Sequence, residues 1–132
     1  MLKSSVVAIV GATGLVGNEM LLVLEQLKFP VSELKLLASA DSAGEVYSFN
    51  GDEIKVEELK EGSFAGVEIA LFATSAELSA KFVPIAAEAG CVCIDNSSHF
   101  RMDRSVPLVV PEVNAHKVTP SSRIIANPNC ST

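Results

Sequence analysis

The chain has 132 residues and a mass of 13.9 kDa, the size of one domain. Apolar residues make up 48%, with 8 glycines and 6 prolines, which excludes a disordered, collagen-like or low-complexity chain. A net charge of −6 supplies no basic face for nucleic acid, and three cysteines at these spacings make neither a disulfide framework nor a zinc site.

The first apolar run meets Gly11 too soon for a signal peptide, and no run reaches the roughly 18 residues that a membrane span needs. The expectation is a soluble, cytoplasmic protein of a reducing compartment, with no nucleic acid, membrane or metal among its partners.

In chain order, residues 5–10 form a short β-branched run that ends in a glycine loop, the pattern of a buried strand. Residues 15–28 follow with helical spacing. Leu15, Met20, Leu24 and Leu27 are expected on the apolar side, Asn18, Glu19, Glu25, Gln26 and Lys28 on the polar side, and Phe29-Pro30 as the stop. Residues 34–39 read as a second strand and 40–44 as a loop. Residues 46–56 alternate around Asn50-Gly51-Asp52 as a hairpin. The acid-rich stretch 45–68 is expected to be a solvated edge. Residues 68–73 predict a third buried strand, and 76–89 a helix in which Pro84 is a kink or a break. Residues 91–94 and 123–126 predict further strands. No internal repeat and no linker interrupts the pattern. Strands alternating with helices imply α/β: a Rossmann-like, doubly wound, mostly parallel sheet with right-handed crossovers, one dinucleotide-binding domain over residues 1–132.

Gly11-Ala12-Thr13-Gly14-Leu15-Val16-Gly17 lies between the first strand and the first helix. Glycine lets backbone approach a phosphate, and a helix start offers unpaired N–H groups at the positive end of its dipole. The spacing is GxxGxxG, not the commoner GxGxxG. The alternative is a turn serving only close helix–strand packing, but the place after the first strand favours a pyrophosphate. An acid about 20 residues past such a loop bonds the ribose 2′-OH, whereas an arginine accepts a 2′-phosphate. Asp41 stands in that region with no Arg or Lys beside it, which favours NAD or leaves the choice open; the alternative is that Asp41 only starts a turn.

Near the end, Asn127-Pro128-Asn129-Cys130-Ser131-Thr132 follows a strand. A lone cysteine in a loop is more often a bystander than a nucleophile. Beside a dinucleotide loop, it points toward an aldehyde dehydrogenase that forms a thioester. Arg101 is a planar fork suited to phosphate, or else a partner for Asp95 or Asp103. Asn96, Ser97 and Ser98 follow the fourth strand, at the edge where open α/β sheets bind ligands, or form a simple turn. Cys91 and Cys93 alternate with Val92 and Ile94 as small core residues.

GATGLVG at 11–17, DNSSHFRM at 95–102, PLVVPEVN at 107–114 and NPNCST at 127–132 together resemble aspartate-semialdehyde dehydrogenase. The resemblance spans nearly the whole chain but only the first part of such an enzyme. The family's second, dimer-forming catalytic domain is absent from these 132 residues. It implies reversible reduction of aspartyl phosphate to aspartate semialdehyde, in lysine, threonine and methionine biosynthesis, by a parent that is a homodimer or homotetramer. By the same resemblance Cys130 is the nucleophile that carries the acyl thioester. Arg101 binds phosphate or the acyl phosphate, and Asn129 lines the substrate site. Thr13, Gly14, Leu15 and Val16 belong to the pyrophosphate loop. Ser39 and Ser42 belong to an adenosine-ribose loop that in the family often reads S-x-R-S-x-G. Asp41 takes that arginine's place, so NADP follows from the resemblance and NAD from the residue present. The family's general base lies beyond residue 132, so His99 and His116 are read as non-catalytic and the chain alone as inactive. The alternatives are N-acetyl-glutamyl-phosphate reductase, whose loop typically reads N-P-G-C-Y where Asn129 and Ser131 stand here, and a non-catalytic dinucleotide-binding module.

Overall fold

The computed structural model describes residues 4–103, 106–109 and 123–127. Seven strands among them form one sheet in the order β3-β4-β2-β1-β5-β6-β7. The strands are β1 (Ser5–Val10), β2 (Val31–Ala38), β3 (Val46–Phe49), β4 (Asp52–Glu58), β5 (Ile69–Phe72), β6 (Val92–Asp95) and β7 (Ile124–Ala126). All neighbouring pairs are parallel except β3 with β4.

Two helices cover opposite faces, α1 (Leu15–Gln26) and α2 (Ala76–Glu88). Alternation along β1 assigns the faces. Val7 and Ile9 pack with Leu21 of α1, Leu36 and Val56. Ala8 and Val10 pack with Phe82, Val83 and Ala86 of α2, Phe72 and Cys93. On that second face the rings of Phe64 and Phe72 stack at 5.9 Å between centroids. Each such fully buried large side chain contributes about 1.5–3 kcal/mol relative to exposure.

Several boundaries differ from expectation for identifiable reasons. β2 begins at Val31 rather than at residue 34, because backbone pairing extends it past exposed Ser32 and Glu33; Ser5 N–H already bonds the Pro30 carbonyl at 3.0 Å. α1 stops at Gln26, ahead of Pro30. Lys28 takes φ 51°, its N–H bonds Glu25 O, and Phe29 N–H bonds Leu24 O, which is the double closure of a Schellman turn. The buried face of α1 keeps Met20 and Leu24 of the expected apolar side against the core but leaves out Leu15 and Leu27. Leu15 is 84% and Leu27 72% exposed, while Gly17 and Leu21 are buried. The glycine loop draws the helix so close to β1 that its small residue faces inward.

Pro84 does not break α2. It lies on the exposed side, forfeiting the bond to Ala80, while Phe82, Val83 and Ala86 hold the helix to the sheet. The hairpin turn is Asn50-Gly51, both at positive φ, with Phe49 opposite Asp52, the two-residue turn that suits twisted strands. Its second strand runs to Glu58 and pairs with β2, so the acidic stretch forms the outer edge of the sheet while Phe49, Val56, Phe64 and Val67 turn inward. A short 3-10 turn at Glu61–Phe64 was not legible in the sequence.

Candidate functional site

The strand order reverses at β1, with β2 on one side and β5 on the other. In an open parallel sheet this is where a crevice opens beyond the carboxyl ends of the strands. The loop from Gly11 to Gly17 lies there. Gly11 has φ 83°, and a side chain on it would run into the Ala73 carbonyl after β5. A side chain on Gly17 would overlap the Gly11 carbonyl and the Ala12 backbone. Backbone therefore touches backbone on both sides of the turn, and no β-carbon fits. Gly14 is the N-cap of α1 and supplies no side-chain cap, and Asn18 N–H is the first to return to its carbonyl, at 2.9 Å. The amides of Leu15, Val16 and Gly17 thus precede the helical ladder at the dipole's positive end. Gly14, Leu15 and Val16 are exposed.

Asn18 was expected only as a polar surface residue. Its Nδ2 bonds the carbonyls of Ala12 and Gly14, at 3.3 and 3.0 Å, and so braces the loop from behind. A helical wheel shows the polarity of Asn18, not this bond.

The loop after β2 carries Ser39, Asp41 and Ser42. Ser39 O accepts from the Ser42 and Ala43 amides, at 3.0 and 3.2 Å, so the segment is a tight turn. Ser42 Oγ accepts a bond of 3.3 Å from Thr13 Oγ1, which brings this turn against the glycine loop. Asp41 and Ser39 are exposed. The unpaired amides at the start of α1 and the hydroxyl-bearing turn beside them fit the pyrophosphate and ribose of a dinucleotide.

Arg101 lies in the turn after β6. Its Nε donates to Asn127 O at 2.7 Å and its Nη2 to Asn96 O at 2.9 Å. The guanidinium thus bridges the carboxyl ends of β6 and β7 through carbonyls. The alternative pairing with Asp95 does not form, because both oxygens of that buried carboxylate are taken by Ser79 and Ser97. Asn129, Cys130 and His116 lie outside the described residues; Asn127 is the last one described before Cys130. His99 is exposed, edge-on to Phe100.

Cys91 and Cys93 are fully buried, as expected of core residues. Burial, above all, pushes both thiols up, that of Cys93 to about 12, with Cys91 and Asp95 adding to it. Neither is a nucleophile at neutral pH. Among the described residues, no group of three or more His, Cys, Asp or Glu is placed to hold a metal, and no helix is long and apolar enough to cross a membrane.

A glycine loop at the switch point of a doubly wound parallel sheet defines the class: an α/β dinucleotide-binding domain. The sequence family described as semialdehyde dehydrogenase, NAD binding domain, matches residues 6–121, and the chain belongs to it. Aspartate-semialdehyde dehydrogenase 2 of Vibrio cholerae is 57% identical over 128 residues, covering 96% of this chain and 38% of that protein. The aspartate-semialdehyde dehydrogenase of Aquifex aeolicus is 55% identical over 129 residues, with coverage of 96% and 38%. Among solved structures, Vibrio cholerae aspartate semialdehyde dehydrogenase II complexed with ASA superposes with a TM-score of 0.94 at 55% identity, over 98% of this chain and 43% of that one. The Candida albicans enzyme with NADP gives 0.75 at 28% identity, over 96% and 43%. The chain thus spans about two fifths of the length of the relatives it matches.

Proposed function

We propose that the chain is the N-terminal cofactor-binding part of an aspartate-semialdehyde dehydrogenase. The observation that carries this reading beyond family membership is the Arg101 bridge. The Arg101 guanidinium, a planar fork suited to phosphate, is bonded to Asn127, the residue from which the chain runs into Asn129 and Cys130. In this reading Gly11, Thr13, Gly14, Leu15, Val16 and Gly17 hold the pyrophosphate, and Ser39, Asp41 and Ser42 face the adenosine ribose. The bound nicotinamide supplies or accepts hydride. Cys130 displaces phosphate from an aspartyl phosphate to give a thioester. Arg101 holds the departing phosphate with the donors that its two carbonyl bonds leave over. Asn129 lines the substrate site.

The relatives' greater length supports a second domain that completes the site; the general base within it, a homodimer or homotetramer and a place in the cytoplasm follow from the resemblance. Asp41 supports NAD over NADP, since its carboxylate accepts a ribose hydroxyl and repels a 2′-phosphate.

The test is a titration of the chain with NAD+ and with NADP+, read at the amide signals of Gly11, Gly14 and Gly17. Both are expected to shift these signals, NAD+ at the lower concentration. No shift with either at millimolar concentration overturns the reading. In any longer protein that carries this domain, Cys130→Ala is expected to abolish phosphate-dependent oxidation of aspartate semialdehyde.

A further inference from the structure

Asp95, at the carboxyl end of β6, is a buried charge to which the reading above gives no part. Its Oδ1 accepts from Ser79 Oγ at 2.9 Å and from the Ser97 amide at 3.0 Å, and its Oδ2 from Ser97 Oγ at 2.8 Å. Ser79 donates to Asp95, so in the 2.7 Å pair of Ser79 with Thr74 the donor is Thr74. A carboxylate is costly to bury, and along the sheet it lies among apolar residues: Phe72 on β5 is opposite it and Cys93 precedes it on the same face. What distinguishes the position is what its hydrogen bonds reach.

One arm runs through Ser79 to Thr74, whose Cγ2 lies 3.3 Å from the place a β-carbon on Gly11 would occupy. The other arm sets the turn after β6. Ser97 Oγ donates to Asp95 and accepts from the His99 amide at 3.2 Å, and Arg101 N–H closes on Ser98 O at 3.3 Å. This turn presents the Asn96 carbonyl to Arg101 Nη2.

We propose that Asp95 is a positioning residue: through Ser97 it holds the turn 96–101, and with it the Arg101 guanidinium, in the geometry that takes an anion, while Ser79 and Thr74 tie that turn to the loop behind Gly11. The inference rests on the anion-binding role proposed for Arg101.

The test uses the 132-residue chain, inorganic phosphate as the probe, and the Arg101 Nε–Hε signal as the readout. In the unaltered chain this signal is expected to exchange slowly and to shift with phosphate. Ser97→Ala is expected to weaken phosphate binding by about tenfold, the scale of one lost charge-assisted bond, and to speed Nε–Hε exchange. Ser97→Thr, which keeps the hydroxyl, restores both. Ser79→Ala moves the Gly11 and Thr74 amide signals but leaves phosphate affinity within about twofold, since the Ser97 arm survives. Asp95→Asn behaves as Ser97→Ala; should it fail to fold, the serine variants decide. A folded Ser97→Ala with unchanged exchange and phosphate affinity overturns the proposal. So does a Ser79→Ala that lowers both as much as Ser97→Ala, because the effect is then general packing. If phosphate shifts nothing in the unaltered chain while Ser97→Ala still frees the Nε–Hε proton, the anion role of Arg101 fails and the positioning by Asp95 stands.

Discussion

The Thr13 hydroxyl donates to the Ser42 hydroxyl across 3.3 Å, and so joins two loops 29 residues apart in sequence. One follows β1 and the other follows β2, adjacent strands whose parallel register brings their carboxyl ends level. Under the proposed function, this bond orients the pyrophosphate and ribose loops toward each other. Thr13→Ala and Ser42→Ala should therefore not add in their effect on cofactor affinity. A coupling of about 0.5–1.5 kcal/mol is expected from a double-mutant cycle followed by calorimetry. Strict additivity would mean that the two loops act independently.

Asp41 is exposed in the same turn and, under the proposed function, sets the charge seen by the adenosine ribose. Asp41→Arg should reverse the preference, raising NADP+ affinity relative to NAD+ by at least tenfold, about 1.4 kcal/mol. Tighter binding of NADP+ by the unaltered chain would defeat the argument from the carboxylate.

Gly17 is expected to tolerate no side chain. A methyl group there meets backbone rather than a side chain that can rotate away. Gly17→Ala should destabilise the fold by roughly 1–3 kcal/mol, as overpacking does, and lower cofactor affinity as well. Gly14→Ala meets only one backbone oxygen, at ordinary contact distance of 3.6 Å, and is the control. Thermal melts of the two variants should separate by several degrees; equal melting points would contradict the contact geometry.

The Cys93 thiol, pushed up to about 12 by burial, gives a stability dependence with a definite sign. The native state holds its proton where the unfolded chain, with an ordinary thiol, releases it. The contribution is complete below the unfolded value of about 8.5 and is lost as pH rises toward 12. Denaturant midpoints should fall across that alkaline window, and Cys93→Ala should flatten the fall. An equally steep fall in that variant would assign it to other groups. At neutral pH, iodoacetamide should leave Cys91 and Cys93 unmodified in the folded chain.

Cys130 is expected to react with iodoacetamide like an ordinary thiol in the 132-residue chain, and the chain to show no turnover with aspartate semialdehyde. Activation would need a base, and general acid–base help is worth roughly 10²–10⁴-fold. Turnover by this chain that Cys130→Ala abolishes would place the base within it, on His99.

Local chemistry made much of this legible. The run of residues 5–10, the Asn50-Gly51 turn and the glycine spacing at 11–17 each specify their backbone through the residue's own sterics, and the structure has them where expected. Other features depend on what a segment meets. The start of β2 at Val31 follows from pairing with β1, not from its own polar Ser32 and Glu33. The buried face of α1, with Leu15 outward and Gly17 inward, follows from how closely the glycine loop holds the helix to the sheet. The hydrogen-bond partners of Asn18 and Asp95 were invisible for the same reason. A polar residue in a list of residues carries no partner, and their bonds reach across a loop or between elements. Composition, periodicity and motif order determined the α/β class, the cofactor loop and the family resemblance, because those rest on neighbours in sequence. The tertiary structure decided the Thr13–Ser42 contact, the Arg101 bridge to Asn127 and the burial of Asp95, because hydrogen bonds and close packing form only between groups that the fold brings within reach.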